Sequence, residues 1–468
     1  MAAHLRRYNP DVDQPDEQPV NEPDDHPNAP RGWSPETRVT GEVQVPTSKS
    51  IAQRVLVLGA QCEGVTRYAA LPDSADVADL LACMQVLQVD ADEGLPGVVT
   101  IQGRPPLPPD GLGGTGNDDA LVLNVGESAT AARILTAAVG MGGRIGQLFR
   151  IEGRGSLERR RSLPLMRALG RAIEEAGDGG WPVLVRGTQA PLELTLTDPC
   201  SSQEVSALLM ALAAQPGERH LNVTGPVPSG SYVDLTLDAL STFGVQVSSE
   251  TTDQGMRFTI GGPLIAPLDA LRIEPDASAA AVALAAGCLS GGTVRIDGLG
   301  ADSHQGDLRI VEHLQALGCD AFADSQFLEA SGAPSATVDL DLTDTPDLAP
   351  PLAVLCAAAT RAGAEICRLR GLGTLPGKES SRIEVLARGL TTLGWEVAAD
   401  ADSLTIRAGE ARLDPVVLET HGDHRMVFAL SLLGLLQEGV RVSQPEAVAK
   451  SWPGYWDDLA AAGARALT

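Results

Sequence analysis

Six times along this chain of 468 residues, an apolar helical stretch stops at a turn residue and gives way to an alternating strand. The stretches are LLACMQVLQVDA, RALGRAIEEAG, TLDALSTFGVQVS, VEHLQALGCDA, LARGLTTLGWEVA and DDLAAAGARA. Their stops fall near Gln88, Gly177, Gly244, Gly318, Gly394 and Gly463, and after the first interval they lie 67 to 76 residues apart. Glycine suits such a stop because it accepts the left-handed conformation at a helix C-terminus. The period is too long for a solenoid repeat, so the pattern predicts six similar α/β units.

Each unit carries a second helix of small apolar residues: SIAQRVLVLGAQC, SATAARILTAAVG, SSQEVSALLMALAAQ, ASAAAVALAAGCL, APPLAVLCAAATRAG and DHRMVFALSLLGLL. These are apolar on nearly all faces and are expected to be buried inside the units. Two segments break the pattern. Residues 1–35 are rich in Pro, Asp, Glu and Asn, which predicts a disordered acidic tail. Residues 104–120, RPPLPPDGLGGTGNDDA, read as an inserted loop.

Charge narrows the function. With 35 basic against 61 acidic residues, the net charge of −26 argues against general nucleic-acid or anionic-membrane binding. No apolar run approaches the roughly 18 residues of a membrane span. The start, MAAHLRRYNPDVDQPDEQPV, lacks an apolar signal core and is too acidic for a transit peptide, so a cytoplasmic protein is expected. Cys62, Cys83, Cys200, Cys288, Cys319, Cys356 and Cys367 form no CxxC pair, and most sit in apolar runs. They read as buried free thiols rather than disulfides or zinc ligands.

Only three of the basic residues are lysine: Lys49, Lys378 and Lys450. Lysine is a compact ammonium that can point at one atom, whereas arginine is a planar fork of fixed charge. All three lysines lie in short polar segments at element boundaries, VPTSKSIAQR, LPGKESSR and EAVAKSWPGYW. Thr47-Ser48-Lys49-Ser50 precedes an apolar run beginning at Ile51. Free N–H groups at a helix start, hydroxyls and an ammonium together make an anion site. Arg54, about a turn and a half further on, is expected to reach the same anion. Ser201-Ser202-Gln203-Glu204 opens another helix as a capping box, and Gly126–Thr130 opens a third that carries Arg133. Arg159, Arg160 and Arg161 make a charge run of the kind that is usually solvated. Glu379 lies between Lys378 and Arg382, where cations can tune its pKa. His421 and His424 are spaced for a metal, but no third ligand cluster accompanies them and none is expected; Arg425 is the more informative neighbour. Isolated cations at the polar starts of buried helices suit a small, multiply anionic ligand.

From about residue 38 to the C-terminus these segments resemble, in order, those of the 5-enolpyruvylshikimate-3-phosphate synthases, an enolpyruvyl transferase family. The matching elements are PTSKSIAQR, GESATAAR, GRGSLERR, SSQEVSALLM, PSGSYVDLTLDALSTFG, EPDASAAA, GGTVRIDGLG, QGDLR, TPDLAPPLAVL, GKESSR, GDHRM and AKSWPGYW. The resemblance implies an α/β, two-lobed enolpyruvyl-transferase fold, each lobe built of three βαβαββ units with pseudo-threefold symmetry. The chain would cross between lobes twice, giving a discontinuous lobe of 36–47 plus 274–468 and a continuous lobe of 48–273. The implied reaction moves the enolpyruvyl group of phosphoenolpyruvate to the 5-hydroxyl of shikimate 3-phosphate and releases phosphate. It runs by addition and elimination through a tetrahedral intermediate, on the route to chorismate and the aromatic amino acids. No cofactor and no metal is implied, and the expected working form is a monomer.

The resemblance also implies roles. Lys49, Ser50 and Arg54 contact shikimate 3-phosphate, with Lys49 reaching phosphoenolpyruvate as well. Ser201, Ser202 and Gln203 hold the shikimate phosphate, Gln203 bridging to phosphoenolpyruvate, and Ser229 and Tyr232 add hydroxyls. Arg160, Arg382, Arg425 and Lys450 clamp phosphoenolpyruvate beside Ala129. Asp347 is the base near the 5-hydroxyl, Glu379 the acid/base at the methylene carbon, and Thr374 and Lys378 border the shikimate side. The chain departs from the family in places. Ala129 replaces a glycine, as in glyphosate-tolerant members, and reduced glyphosate sensitivity follows as an expectation. Arg161 replaces a proline, Thr374 an asparagine and Ser381 an aspartate, and the first 35 residues have no counterpart. Two other readings stay open. The UDP-N-acetylglucosamine enolpyruvyl transferases share the fold but typically have Lys-Asn in place of Lys49-Ser50 and lack Ser-Ser-Gln. A non-catalytic sensor of phosphorylated metabolites would not need Asp347, Glu379 and all three lysines.

Overall fold

The protein, a computed structural model, is described for residues 29–95, 97–105, 107, 116, 119–142 and 145–467. One pattern of strands recurs in five four-stranded sheets among these residues. In the sheet of Glu193–Thr197, the first strand lies parallel to Arg219–Thr224, which is antiparallel to Gly255–Gly261, itself paired with Gln246–Thr252. The Ser202–Ala213 helix links the first two strands, and the Ser231–Thr242 helix leads into the hairpin. That order is βαβαββ. The sheets that begin with Leu121–Asn124 and Val338–Asp341 repeat it within one continuous stretch each.

Two units borrow their first strand. Leu271–Arg272 pairs with Gly64–Ala69, and Gly41–Glu42 pairs with Thr293–Asp297. The borrowed strands sit where the chain crosses between lobes. The two crossings run side by side, with Ser48 N–H donating to the Glu274 carbonyl at 2.8 Å and Asp276 N–H to the Pro46 carbonyl at 2.8 Å. Each lobe has its own core. One gathers side chains between Ala52 and Ile273; the other gathers Trp33, Val39 and Val43 with residues from Ala277 to Ala464.

The small-residue helices are the centre of every unit: Lys49–Ala60, Ala129–Gly142, Ser202–Ala213, Ala277–Ser290, Ala349–Arg361 and His424–Leu432. Their alanines and glycines permit close packing. In Lys49–Ala60 and Ala129–Gly142 even Arg54 and Arg133 are buried. The expected turn stops also recur, all with positive φ. In the second unit, however, the helix Leu163–Leu169 ends at Gly170 (φ 53°), not at Gly177. Ile173–Glu175 has already become a strand paired with Val183–Arg186, because the chain must turn before the hairpin.

The sixth unit is completed by residues 31–33 and by the stretch around Ala466. Val416–Leu418 lies parallel to Val440–Val442; Arg31 then bridges antiparallel to Val442, and Trp33 to Ala466. The expectation of a disordered tail through residue 35 therefore fails at its end. Trp33 is 1% exposed. Its ring lies 5.0 Å from Trp456, and its Nε1–H donates to the Tyr455 hydroxyl at 3.3 Å. Residues 1–28 lie outside the described residues, as does most of the inserted loop 104–120. Trp33→Ala should cost about 3 kcal/mol of unfolding free energy, as expected for removing a buried aromatic; urea denaturation measures it, and a loss under 1 kcal/mol would contradict this packing. No described helix is long and apolar enough to cross a membrane. Cys200 is exposed and the other six cysteines are buried; all seven are free thiols.

Candidate active site

The central helices aim their N-termini at one cleft between the lobes. Lys49 and Ser50 begin one helix, Ala129 and Thr130 a second, and Ser202 and Gln203 a third; all line the cleft. His424 and Arg425 begin a fourth from the opposite lobe, and Asp347 lies in the short turn before a fifth. Each helix start contributes unpaired N–H groups and about half a positive charge, so their convergence favours an anion. The cleft is open to solvent on one side and has a cavity volume of about 90 Å³.

All three lysines meet here, each against a carboxylate. Lys49 Nζ lies 3.1 Å from Asp76, Lys378 Nζ 3.7 Å from Asp347, and Lys450 Nζ 2.9 Å from Glu379. Three arginines join them. Arg382 reaches Asp347 at 2.7 Å and Asp423 at 2.9 Å, Arg425 lies 3.4 Å from Asp347, and Arg160 lies 3.7 Å from Glu379 across the lobe boundary. The expected solvated run at 159–161 is thus split: the side chain of Arg160 is largely buried in the cleft while that of Arg161 is more exposed and pairs with Asp178.

The cations decide the ionisation of the two buried acids. Burial alone would raise Asp347, but Arg425, Lys378 and Arg382 hold its carboxyl well below the usual range. Burial would likewise raise Glu379, yet His424, Lys450 and Arg382 hold it well below normal. His424 Nδ1 sits 2.8 Å from Glu379. Burial lowers the Lys378 ammonium despite Asp347 beside it. Tyr232 donates its hydroxyl to Asp347 at 3.3 Å, and burial pushes its own pKa well up.

Ser201, Ser202, Gln203 and Ser229 line the cleft from the other lobe. Ser201 caps its helix by accepting from Gln203 N–H at 3.3 Å. The second half of the expected capping box differs: Glu204 accepts from Cys200 N–H at 2.8 Å and from Ser162, because it is drawn inward beneath Arg133. Arg133 donates to Gln203 Oε1 at 2.6 Å, which fixes the amide that faces the cleft.

Two expected residues stand apart from the cleft lining. Arg54 is 1% exposed and points behind it, donating to Thr236 at 2.8 Å, the Ser50 carbonyl at 2.8 Å and the Tyr232 carbonyl at 3.1 Å. It braces two cleft residues, Ser50 and Tyr232, from beneath. Thr374 also lies outside the lining, and its buried hydroxyl has no hydrogen-bond partner. Sequence reasoning passed over Asp76, Glu127, Thr130 and Asp423. Asp76 and Glu127 sit next to helix starts, the one available signal. Glu379, Asp423 and His424 do bring three donor atoms within 4.8 Å of one another. Those acids are engaged by Arg382, Arg160 and Lys450, so a metal there would sit among cations. His421 is exposed and outside the cleft lining, in an adjoining pocket that shares Arg160, Lys378 and Glu379.

Behind Arg425, Asp307 is 6% exposed and accepts from Ser278, which in turn accepts from Arg425 at 3.1 Å. Burial raises its pKa to about 6. A raised carboxyl stabilises the fold below the unfolded value, near 3.9, and loses that contribution as pH rises through about 6. Asp307→Asn should therefore be more stable than the parent at pH 7.5 by roughly 2–3 kcal/mol, the gap closing toward pH 4. Urea denaturation at both pH values tests this; a gap independent of pH would refute it.

Comparison with known proteins supplies an independent line. The family model described as EPSP synthase (3-phosphoshikimate 1-carboxyvinyltransferase) matches residues 33–459. A 3-phosphoshikimate 1-carboxyvinyltransferase of Shewanella loihica is 31% identical over 443 residues, covering 92% of this chain and 98% of that protein. One from Thiobacillus denitrificans is 33% identical over 434 residues, covering 91% and 97%. Among solved structures, EPSP synthase from Acinetobacter baumannii superposes with a TM-score of 0.72 at 23% identity, covering 93% of this chain and 98% of that one. The enolpyruvyl transferase NikO from Streptomyces tendae gives 0.68 at 20% identity, covering 94% and 99%. The structural matches share the two-lobed fold seen here.

Proposed function

Because this chain belongs to the EPSP synthase (3-phosphoshikimate 1-carboxyvinyltransferase) family, we infer how its cleft divides the work of that reaction. The enzyme transfers the enolpyruvyl group of phosphoenolpyruvate to shikimate 3-phosphate, releasing phosphate. The observation that carries the assignment is the meeting of all three lysines, three arginines and two buried carboxylates in one cleft.

Phosphoenolpyruvate takes the cations Arg160, Arg382, Arg425, Lys450 and Lys49, next to Ala129 and Gln203. Shikimate 3-phosphate lies toward Ser201, Ser202, Gln203, Ser229, Tyr232, Ser50 and Lys378. Arg54 acts through Ser50 and Tyr232, which it braces. Asp347 accepts the 5-hydroxyl proton as that oxygen attacks, and Glu379 serves the methylene carbon. The cations stabilise the charge of the tetrahedral intermediate and the departing phosphate.

The same cations solve a problem the two acids pose. A carboxylate held far below its ordinary pKa is a weak proton acceptor. The phosphate and carboxylate of phosphoenolpyruvate compete for Arg382, Arg425 and Lys450. Drawing these away from Asp347 and Glu379 restores proton affinity when the substrate arrives. Hydrogen bonds to charged groups are worth roughly 1.5–3 kcal/mol each, and several offset the desolvation of both substrates. Closure of the lobes excludes water.

A cytoplasmic monomer is the proposed working form, since one chain supplies every wall of the cleft. The deciding experiment measures phosphate release from phosphoenolpyruvate with shikimate 3-phosphate or UDP-N-acetylglucosamine as acceptor. Release with the first alone supports the reading; release with the UDP-sugar or with neither overturns it. Ala129→Gly should increase glyphosate inhibition by opening space at the phosphoenolpyruvate wall. An unchanged inhibition constant would remove Ala129 from that wall.

A further inference from the structure

Two carboxylates of different character hold Lys450. Glu379 is buried, 2.9 Å away, and shared with Arg160 and His424. Glu127 reaches Lys450 from the other lobe at 3.3 Å, with 39% of its side chain exposed. Its position is built rather than incidental. Ser156 donates to the same Glu127 oxygen through its hydroxyl at 2.9 Å and its N–H at 3.4 Å. A Cβ at Gly155 would lie 2.5 Å from the other oxygen, so the glycine (φ +60°) leaves the carboxylate room. The segment that seats Glu127 is the one that delivers Arg160.

The surrounding charges keep this acid ionised. Burial would raise Glu127, but Lys450 and Ser156 hold it below its ordinary value. Nearby stand Asp76 and Asp79 of the Ala75–Val86 helix, with Arg154 3.6 Å from Asp79. Glu127 is thus a fixed negative charge at the rim of a site whose substrates are anions.

We propose that Glu127 is a specificity-determining residue that competes with phosphoenolpyruvate for the Lys450 ammonium. The proposal rests on the reading that Lys450 binds that substrate. An anion arriving at Lys450 displaces Glu127 from it and then sits beside a like charge. The acceptor, held at the Ser201–Gln203 wall, is affected far less. The same repulsion favours departure of product phosphate, so Glu127 exchanges donor affinity for release.

Glu127→Gln tests this, because its amide oxygen still accepts from Ser156 while the charge is gone. The KM for phosphoenolpyruvate and the inhibition constant of inorganic phosphate should each fall about fivefold, the scale of a partly exposed ion pair. The KM for shikimate 3-phosphate should not move. A donor KM that is unchanged or raised overturns the proposal. Lys450→Ala separates the two readings. If it leaves the donor KM untouched, the assignment of Lys450 to phosphoenolpyruvate fails. If it raises the donor KM while Glu127→Gln does not lower it, that assignment stands and the proposal for Glu127 falls. In the Lys450→Ala background, Glu127→Gln should keep only the like-charge part of its effect, a fall in donor KM smaller than in the parent; an equal or larger fall would overturn the competition for Lys450.

Discussion

Lys49→Ala is expected to lower kcat/KM by roughly 10³-fold, the scale of losing a preorganised donor aimed at developing charge. The ammonium stands at the first residue of a central helix, where the helix start adds to its field. Its only ion-pair partner among the described residues is Asp76, at 3.1 Å. A partly exposed pair of this kind is worth at most about 1 kcal/mol to folding. Activity and stability should therefore separate, with urea denaturation close to the parent's. Near-normal kcat/KM in Lys49→Ala would overturn the placement of both substrates, since the proposed sites meet at Lys49.

Asp347→Ala should reduce kcat by roughly 10³-fold, within the range of general acid–base catalysis. It should also destabilise the protein, because Lys378, Arg382 and Arg425 all lose a partner. The pH dependence has a definite sign. Asp347 is depressed in the folded state, so its stabilisation is present above the unfolded value, near 3.9, and is lost only as pH falls below that. The parent should lose this contribution in acid; Asp347→Ala never has it, so the difference between them should shrink below about pH 4. Asp347→Asn keeps the shape but cannot accept the proton, and should lose kcat as fully. An Asn variant with parental kcat would remove Asp347 from the base role.

The six-unit plan was legible because each unit repeats two strong local signals, a turn stop and an all-apolar helix. The polar starts of those helices marked the cleft for the same reason. Arg54 lies behind the cleft lining, where helix distance alone had set it beside Lys49. Five residues turn a helix by about 140° beyond one full revolution, so Arg54 cannot share the face of Lys49. It lies instead one turn from Ser50, whose carbonyl it meets. Trp33 was assigned to the tail because its partners, Tyr455 and Trp456, lie more than 400 residues away and leave no periodicity nearby. Asp76 and Glu127 were passed over for a related cause. Asp76 meets Lys49 from the next helix of the same unit and Glu127 meets Lys450 across the lobe boundary, and only the assembled fold brings them together.

Residues 32–34 and 465–467 meet inside the sixth unit, with Leu467 N–H donating to the Gly32 carbonyl at 2.9 Å and Ser34 N–H to the Arg465 carbonyl at 2.8 Å. They occupy the place that a hairpin fills in the other five units. In three dimensions the described residues trace a closed loop of six beads, open once, at a hairpin. The opening could be moved. A short linker from Leu467 to Arg31 would restore the missing turn, and new termini could open at Asp253-Gln254, the tip of the equivalent hairpin in the third unit. Such a circular permutant would keep every strand pairing and every cleft residue while reading the units in a different order. The order in which the units are read is thus separable from how the enzyme is built.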